Sequence, residues 1–134
     1  MRRTGNLFPR IVEWENLRLA LWKALKGKRD RYDAQAFVAD IEPRLTRMGE
    51  QLRDGTIRLG RYHQFRIRDP KERVITAPCF EERVVHHAIM NVCEPEFDRR
   101  LIDDTFACRV GKGRLAALAR AQAFARRAPF YLSP

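Results

Sequence analysis

Apolar positions return every three or four residues over the first part of the chain. From Leu7 to Lys26, the residues Trp14, Leu17, Leu21 and Leu25 fall on one helical face, which Trp22 widens. Gly27 and the cations that follow it, Lys28, Arg29 and Arg31, suit the end of that helix and the negative pole of its dipole. A second helix is predicted from Asp33 to Asp54, with Phe37, Ile41, Leu45, Met48 and Leu52 on one stripe and Gly55 as its stop. Pro43 lies inside it. Because an interior proline costs about 3 kcal/mol, the pattern predicts either a kink or two short helices with Pro43 near the start of the second.

The period then changes from 3.6 to 2. Ile57 and Leu59, Phe65 and Ile67, and Val74 and Thr76 alternate with polar neighbours and read as strands. Asp69-Pro70-Lys71-Glu72 is a type I turn sequence, so a hairpin is expected with Phe65 and Ile67 on its inner face and Arg66 and Arg68 on the other. A helix should follow Pro78, beginning near Glu81, turning Val85, Ala88, Ile89 and Val92 inward, and bending or ending near Glu94-Pro95. Phe97, Leu101, Ile102 and Phe106 are expected to tie an irregular segment to the core. Gly111-Lys112-Gly113 then opens an alanine-rich helix from Arg114 to Arg127, and Phe130-Tyr131-Leu132 has the look of a strand opening. The fold class is α+β, mostly helical, with one small antiparallel hairpin or three-stranded sheet.

Composition narrows the functions available. The chain has 134 residues, enough for one domain with a core, and its eight Phe, three Tyr and two Trp argue against disorder. Lys and Arg total 27 against 17 Asp and Glu, a formal charge of +10. Such a field favours polyanions, nucleic acid first. The N-terminal MRRTGNLFPR lacks the apolar run of a secretory leader, and no stretch approaches the roughly 18 apolar residues of a membrane span, so a cytoplasmic chain with no membrane partner is expected. Cys79, Cys93 and Cys108 are odd in number and widely spaced, which fits free thiols acting as small core residues.

Chemistry-bearing residues cluster between Tyr62 and Lys112. Lys71 and Arg73 flank a rigid hairpin tip with Arg66 and Arg68 behind them, an arrangement suited to phosphate oxygens. His86 and His87 are adjacent and point about 100° apart on a helix, so they do not form a metal pair. Gly111-Lys112-Gly113 precedes a helix, but Arg114 stands where a nucleotide P-loop needs Ser or Thr; a contact to a nucleic-acid backbone suits it better. Asp103-Asp104 is an adjacent pair with nothing nearby to complete a two-metal site, and Glu94 and Glu96 read as surface charge.

Taken in order, these motifs resemble the N-terminal part of bacterial reverse transcriptases of the diversity-generating-retroelement, retron and group II intron types. The segments are Asp69-Pro70-Lys71-Glu72-Arg73, Ala77-Pro78-Cys79-Phe80, Arg83 to Ile89, Glu94-Pro95-Glu96-Phe97 and Phe106-Ala107-Cys108-Arg109-Val110-Gly111-Lys112-Gly113. The resemblance covers about Gly60 to Tyr131. It implies a polymerase fingers region followed by the start of the palm, arranged as N-terminal helices over 1–56, a fingers hairpin over 57–78, helices and the Gly-Lys-Gly loop over 79–128, and a palm strand from 129 to 134. Lys71 and Arg73 would bind the triphosphate of an incoming dNTP. Arg66, Arg68, Arg83, Arg109 and Lys112 would contact an RNA template or RNA/DNA hybrid, and a retroelement accessory protein is a further possible partner.

The family's reaction uses Mg²⁺ on palm aspartates, one after an apolar strand and a pair in a YxDD turn. Here Ser133-Pro134 follow the strand sequence and no YxDD is present. Glu81-Glu82, Thr105-Phe106 and Arg114 also depart from the residues usual in such enzymes, Arg-Asp, Ser-Tyr and Thr. The expectation is therefore a fingers half, truncated or excerpted from a longer enzyme, with no catalytic residue and no cofactor of its own. A stand-alone basic RNA-binding module is the alternative.

Overall fold

The computed structural model describes residues 4 to 127 and Phe130. Its elements are α1 (Leu7–Ile11), α2 (Trp14–Leu25), α3 (Tyr32–Val38), α4 (Ile41–Arg53), β1 (Tyr62–Arg68), β2 (Glu72–Pro78), α5 (Phe80–Asp98) and α6 (Arg114–Ala125). The class is α+β, six helices with a two-stranded antiparallel sheet among the described residues. The chain divides after Glu94 into two compact units, and α5 runs through the boundary.

The first unit has an apolar core drawn from four helices. Leu17, Ala20, Leu21 and Ala24 of α2 meet Ala34 and Phe37 of α3, Leu45 and Met48 of α4, and Phe80, Val84, Val85, Ala88 and Val92 of α5. Leu17 and Leu21 lie where the periodicity puts them, but Trp22 is 60% exposed and the face is completed by Ala20 and Ala24. Small side chains let the helices approach closely. Gly49 shows the same constraint: a Cβ there would lie 3.3 Å from Leu17 Cδ1, which explains a glycine where the helix itself would favour alanine.

Other boundaries differ from the pattern. The first predicted helix is two, α1 and α2, parted at Val12 and Glu13. Pro43 sits in the first turn of α4, where its missing N–H has no helical partner to lose, so the second of the two expected outcomes holds. Ile57 and Leu59 form no strand, and the sheet is the β1–β2 hairpin alone. α5 does not end at Pro95 but continues for one more turn to Asp98, and Ile89 lies at the exposed edge of that helix. In the second unit, Phe97, Leu101 and Ile102 are exposed and no residue of α6 is buried. The expected tie of this segment to an apolar core is absent from the described residues. Cys79 and Cys93 are partly buried, whereas Cys108 is exposed with a positive φ of 57°. Phe130 is exposed, and the rest of the expected palm strand, Tyr131-Leu132, lies outside the described residues.

Polar ties join α2 to α5. The Asn16 side-chain amide donates to the carbonyls of Ile11, at 2.8 Å, and Ala88, at 3.0 Å, while Asn91 donates to Asn16 Oδ1 at 3.0 Å. Asn16 thus satisfies a carbonyl left open where α1 stops.

Candidate nucleic-acid interface

The hairpin registers Arg68 with Glu72, Ile67 with Arg73, Arg66 with Val74 and Phe65 with Ile75. Its loop is three residues, Asp69 to Lys71, and the Asp69 N–H donates to the Lys71 carbonyl at 3.2 Å. Because side chains alternate along a strand, this register sorts the cations. Arg66 and Arg68 lie on one face with Glu72 and Val74. Arg73 lies on the other, with His63, Phe65, Ile67 and Ile75. The grouping of Arg66 and Arg68 behind Lys71 and Arg73 therefore becomes a division between two faces.

Neither face is covered. Every residue of β1 is exposed, including Phe65 and Ile67, so the expected inner face is not packed on the core. A lone hairpin is marginal in water, so the position of this one depends on its attachment. The attachment is at the base. Ala77 and Phe80 are buried, and the Cys79 N–H donates to the Arg61 carbonyl at 2.9 Å. Glu82, 3% exposed, accepts the Gly60 N–H at 2.8 Å, and Gly60 has a positive φ of 96° that favours glycine. Two backbone segments are thus pinned to the start of α5.

Glu82 reads in the sequence as a first-turn anion favoured by the helix dipole, and its burial gives no sequence signal of its own. The Gly60 N–H holds its carboxyl below the ordinary glutamate range, against the opposing effect of burial; the Tyr62 hydroxyl and His86 add to the lowering. Tyr62 is raised in turn by its hydrogen bond to Glu82. His87 is pushed down by burial and then by Lys23, Arg83 and His86. Both lowered groups act in the same sense. Glu82 contributes stability that is complete above its ordinary pKa of 4.5 and lost as pH falls through the lower folded value; His87 contributes stability complete above 6.5 and lost as acid charges it. Thermal melts at descending pH should therefore show wild type losing stability below about 6.5 and again below about 4.5. Glu82→Gln should be less stable at neutral pH and lack the lower step; a variant curve parallel to wild type through that range would remove Glu82 from this role.

The candidate phosphate ligands differ in what already occupies them. Lys71 and Arg73 are exposed and, among the described residues, make no side-chain hydrogen bond or ion pair. Arg68 and Arg83 are also without one among those residues. Arg66 pairs with Glu72 at 2.9 Å, an exposed contact of little energetic weight that a stronger anion displaces. On the Arg73 face, the His63 and Phe65 rings stack with centroids 5.7 Å apart, an exposed aromatic pair beside a cation. Aromatic surface next to basic groups is what single-stranded nucleic acid binds.

Arg109 and Lys112 belong to the second unit and are spent on it. Arg109, with a side chain 12% exposed, donates to Asp98 Oδ1 at 2.6 Å and to the carbonyls of Ile102, at 2.9 Å, and Thr105, at 3.3 Å. Lys112 donates to the Asp103 carbonyl and stands 5.3 Å from the Phe106 ring centroid. Arg120 grips Asp104 with two bonds, 2.6 and 3.1 Å, and holds its carboxyl below the ordinary range. These cations organise the loop between α5 and α6.

Among the described residues, no group of three His, Cys, Asp or Glu could hold a metal ion, so they do not fit the Mg²⁺ site that the resemblance implies for an intact enzyme. No helix among them is long and apolar enough to cross a membrane. Compared with known proteins, the chain matches no family model and no curated sequence.

Proposed function

We propose that this chain is a fingers region of a reverse transcriptase, in which Lys71 and Arg73 bind the triphosphate of a dNTP while the hairpin faces receive an RNA template or RNA/DNA hybrid. The observation that carries this reading is the projecting hairpin with both faces exposed, its tip cations unpaired and an aromatic pair beside Arg73. The order of the motifs along Tyr62 to Lys112 supports it, as does the formal charge of +10. Arg66, Arg68 and Arg83 add sequence-independent phosphate contacts. Arg109 and Lys112 shape the loop in front of α6, and any template contact there uses its backbone. The free thiols suit a reducing, cytoplasmic setting.

With no metal-holding group among its described residues, the 134-residue chain binds substrate without polymerising it. Lys71→Ala and Arg73→Ala should each weaken dNTP binding about tenfold, in line with the loss of a charge-assisted hydrogen bond, and leave melting behaviour unchanged. Primer extension on an RNA template with Mg²⁺ should give no product; deoxynucleotide incorporation by the purified chain would refute this part. A stand-alone RNA-binding module is the second reading, favoured by the exposed His63–Phe65 pair. It predicts that the same two substitutions weaken RNA binding and leave dNTP binding as it was.

A further inference from the structure

Away from the hairpin strands, α4 and the segment leading into β1 enclose a cleft of about 310 Å³. Four arginines line it: Arg44 and Arg47 from α4, Arg58 and Arg61 from the segment before β1. Arg44, Arg47 and Gln51 are spaced three and four residues apart, which places them along one side of α4, away from the buried Leu45 and Met48. None of the four guanidinium groups makes a hydrogen bond or ion pair among the described residues; Arg44 stands 5.5 Å from the Phe37 ring centroid. The sequence offers little notice of this, because the two pairs come from segments more than ten residues apart and meet only in the fold.

The arrangement is unfavourable for the free protein in two ways. Like charges brought to one concavity repel. Arg44 also lies at the N-terminal end of α4, where the helix dipole disfavours cations. Both costs are relieved when an anion enters. Asp40 and Glu81 share the lining, so four positive groups face two negative ones. Two carboxylates oppose a compact polyphosphate seated among the arginines. They suit a strand whose phosphates are spaced apart and whose 2′-hydroxyls donate hydrogen bonds between them. The volume is at the small end of ligand pockets, room for about one nucleotide unit of a longer strand.

We infer that this four-arginine cleft is an RNA backbone site, holding single-stranded RNA through phosphates on Arg44, Arg47, Arg58 and Arg61 and through ribose hydroxyls on Asp40 and Glu81. The inference deepens the nucleic-acid reading above and is independent of what the hairpin tip binds.

The test is fluorescence anisotropy of the full chain with a labelled single-stranded RNA and the DNA of the same sequence, over a range of KCl. Arg47→Gln/Arg58→Gln/Arg61→Gln keeps Arg44 on Phe37 and removes three cleft charges. It should weaken RNA binding at least tenfold and flatten the plot of log affinity against log salt by about 0.7 for each phosphate no longer neutralised. Lys26→Gln/Lys28→Gln/Arg29→Gln removes the same charge outside the cleft and should change affinity less than threefold. Asp40→Asn/Glu81→Gln should narrow the preference of the chain for RNA over DNA. Equal weakening by the two charge-matched triples, no weakening by the cleft triple, or no RNA binding by wild type would each overturn the site. Circular dichroism and melting of each variant distinguish an unfolded protein from a folded one that binds less well. Failure of Lys71→Ala and Arg73→Ala to affect dNTP binding would sink the fingers reading and leave the cleft standing. Failure of the cleft triple alone would do the reverse.

Discussion

Phe80→Ala is expected to lower the stability of the first unit by about 3 to 5 kcal/mol, the range for truncating a buried aromatic side chain. Phe80 is 4% exposed and meets Phe37 edge to face, with centroids 5.5 Å apart. It is the first residue of α5 and stands two positions beyond the end of β2. Its ring therefore joins α3 to the helix from which the hairpin is hung. Since domains of this size are stable by only about 5 to 15 kcal/mol, the variant should be partly unfolded near body temperature. Urea melts followed by circular dichroism give the value directly. Phe80→Leu keeps most of the volume and should recover more than half of the stability. A change below about 1 kcal/mol for Phe80→Ala would mean that the site collapses around the missing ring and that Phe80 is not the hinge of this core.

Arg109→Ala has the second largest expected effect, confined to the second unit. The guanidinium joins Asp98 at the end of α5 to two loop carbonyls, and its removal leaves all three without their donor. Loss of hydrogen bonds to a charged donor at a mostly buried site costs about 2 to 4 kcal/mol. With no buried residue in α6 to compensate, that is enough to open the loop. Limited proteolysis should then cut between residues 99 and 113 far faster than in wild type, while the melt of the first unit is unchanged. Arg109→Lys should not rescue it, because one ammonium group cannot reproduce the fork that reaches a carboxylate and two carbonyls. Wild-type resistance in Arg109→Ala would return this residue to the role of a template contact.

Local chemistry was legible in the sequence where neighbours along the chain decide it. Leu17, Leu21, Phe37, Leu45 and Met48 announced their helices through spacing, and Asp69-Pro70 marked the hairpin reversal. Pattern misled where the partner lies far off in sequence. Trp22 joins the apolar stripe of α2 by spacing, yet the facing helices approach too closely for an indole and select Ala20 and Ala24. Ile57 and Leu59 alternate as a strand does, but among the described residues no second edge is available to pair with them. Glu82 satisfies a simple rule for first-turn acids, which hides its use as the acceptor for Gly60, 22 residues earlier. Arg109 illustrates the converse. A cation in a glycine-rich segment suggests a ligand contact, while its actual partners include carbonyls that no sequence pattern marks.

The sorting of the hairpin cations has one more consequence. A strand of nucleic acid or a triphosphate lying against one side of the ribbon meets Arg73 with the His63–Phe65 pair, and one lying against the other meets Arg66 and Arg68. The ribbon therefore behaves as a partition between two anionic guests, with Lys71 at the free margin over which they come closest. Its thinness, a single sheet without a covering layer, is what permits occupancy on both sides at once.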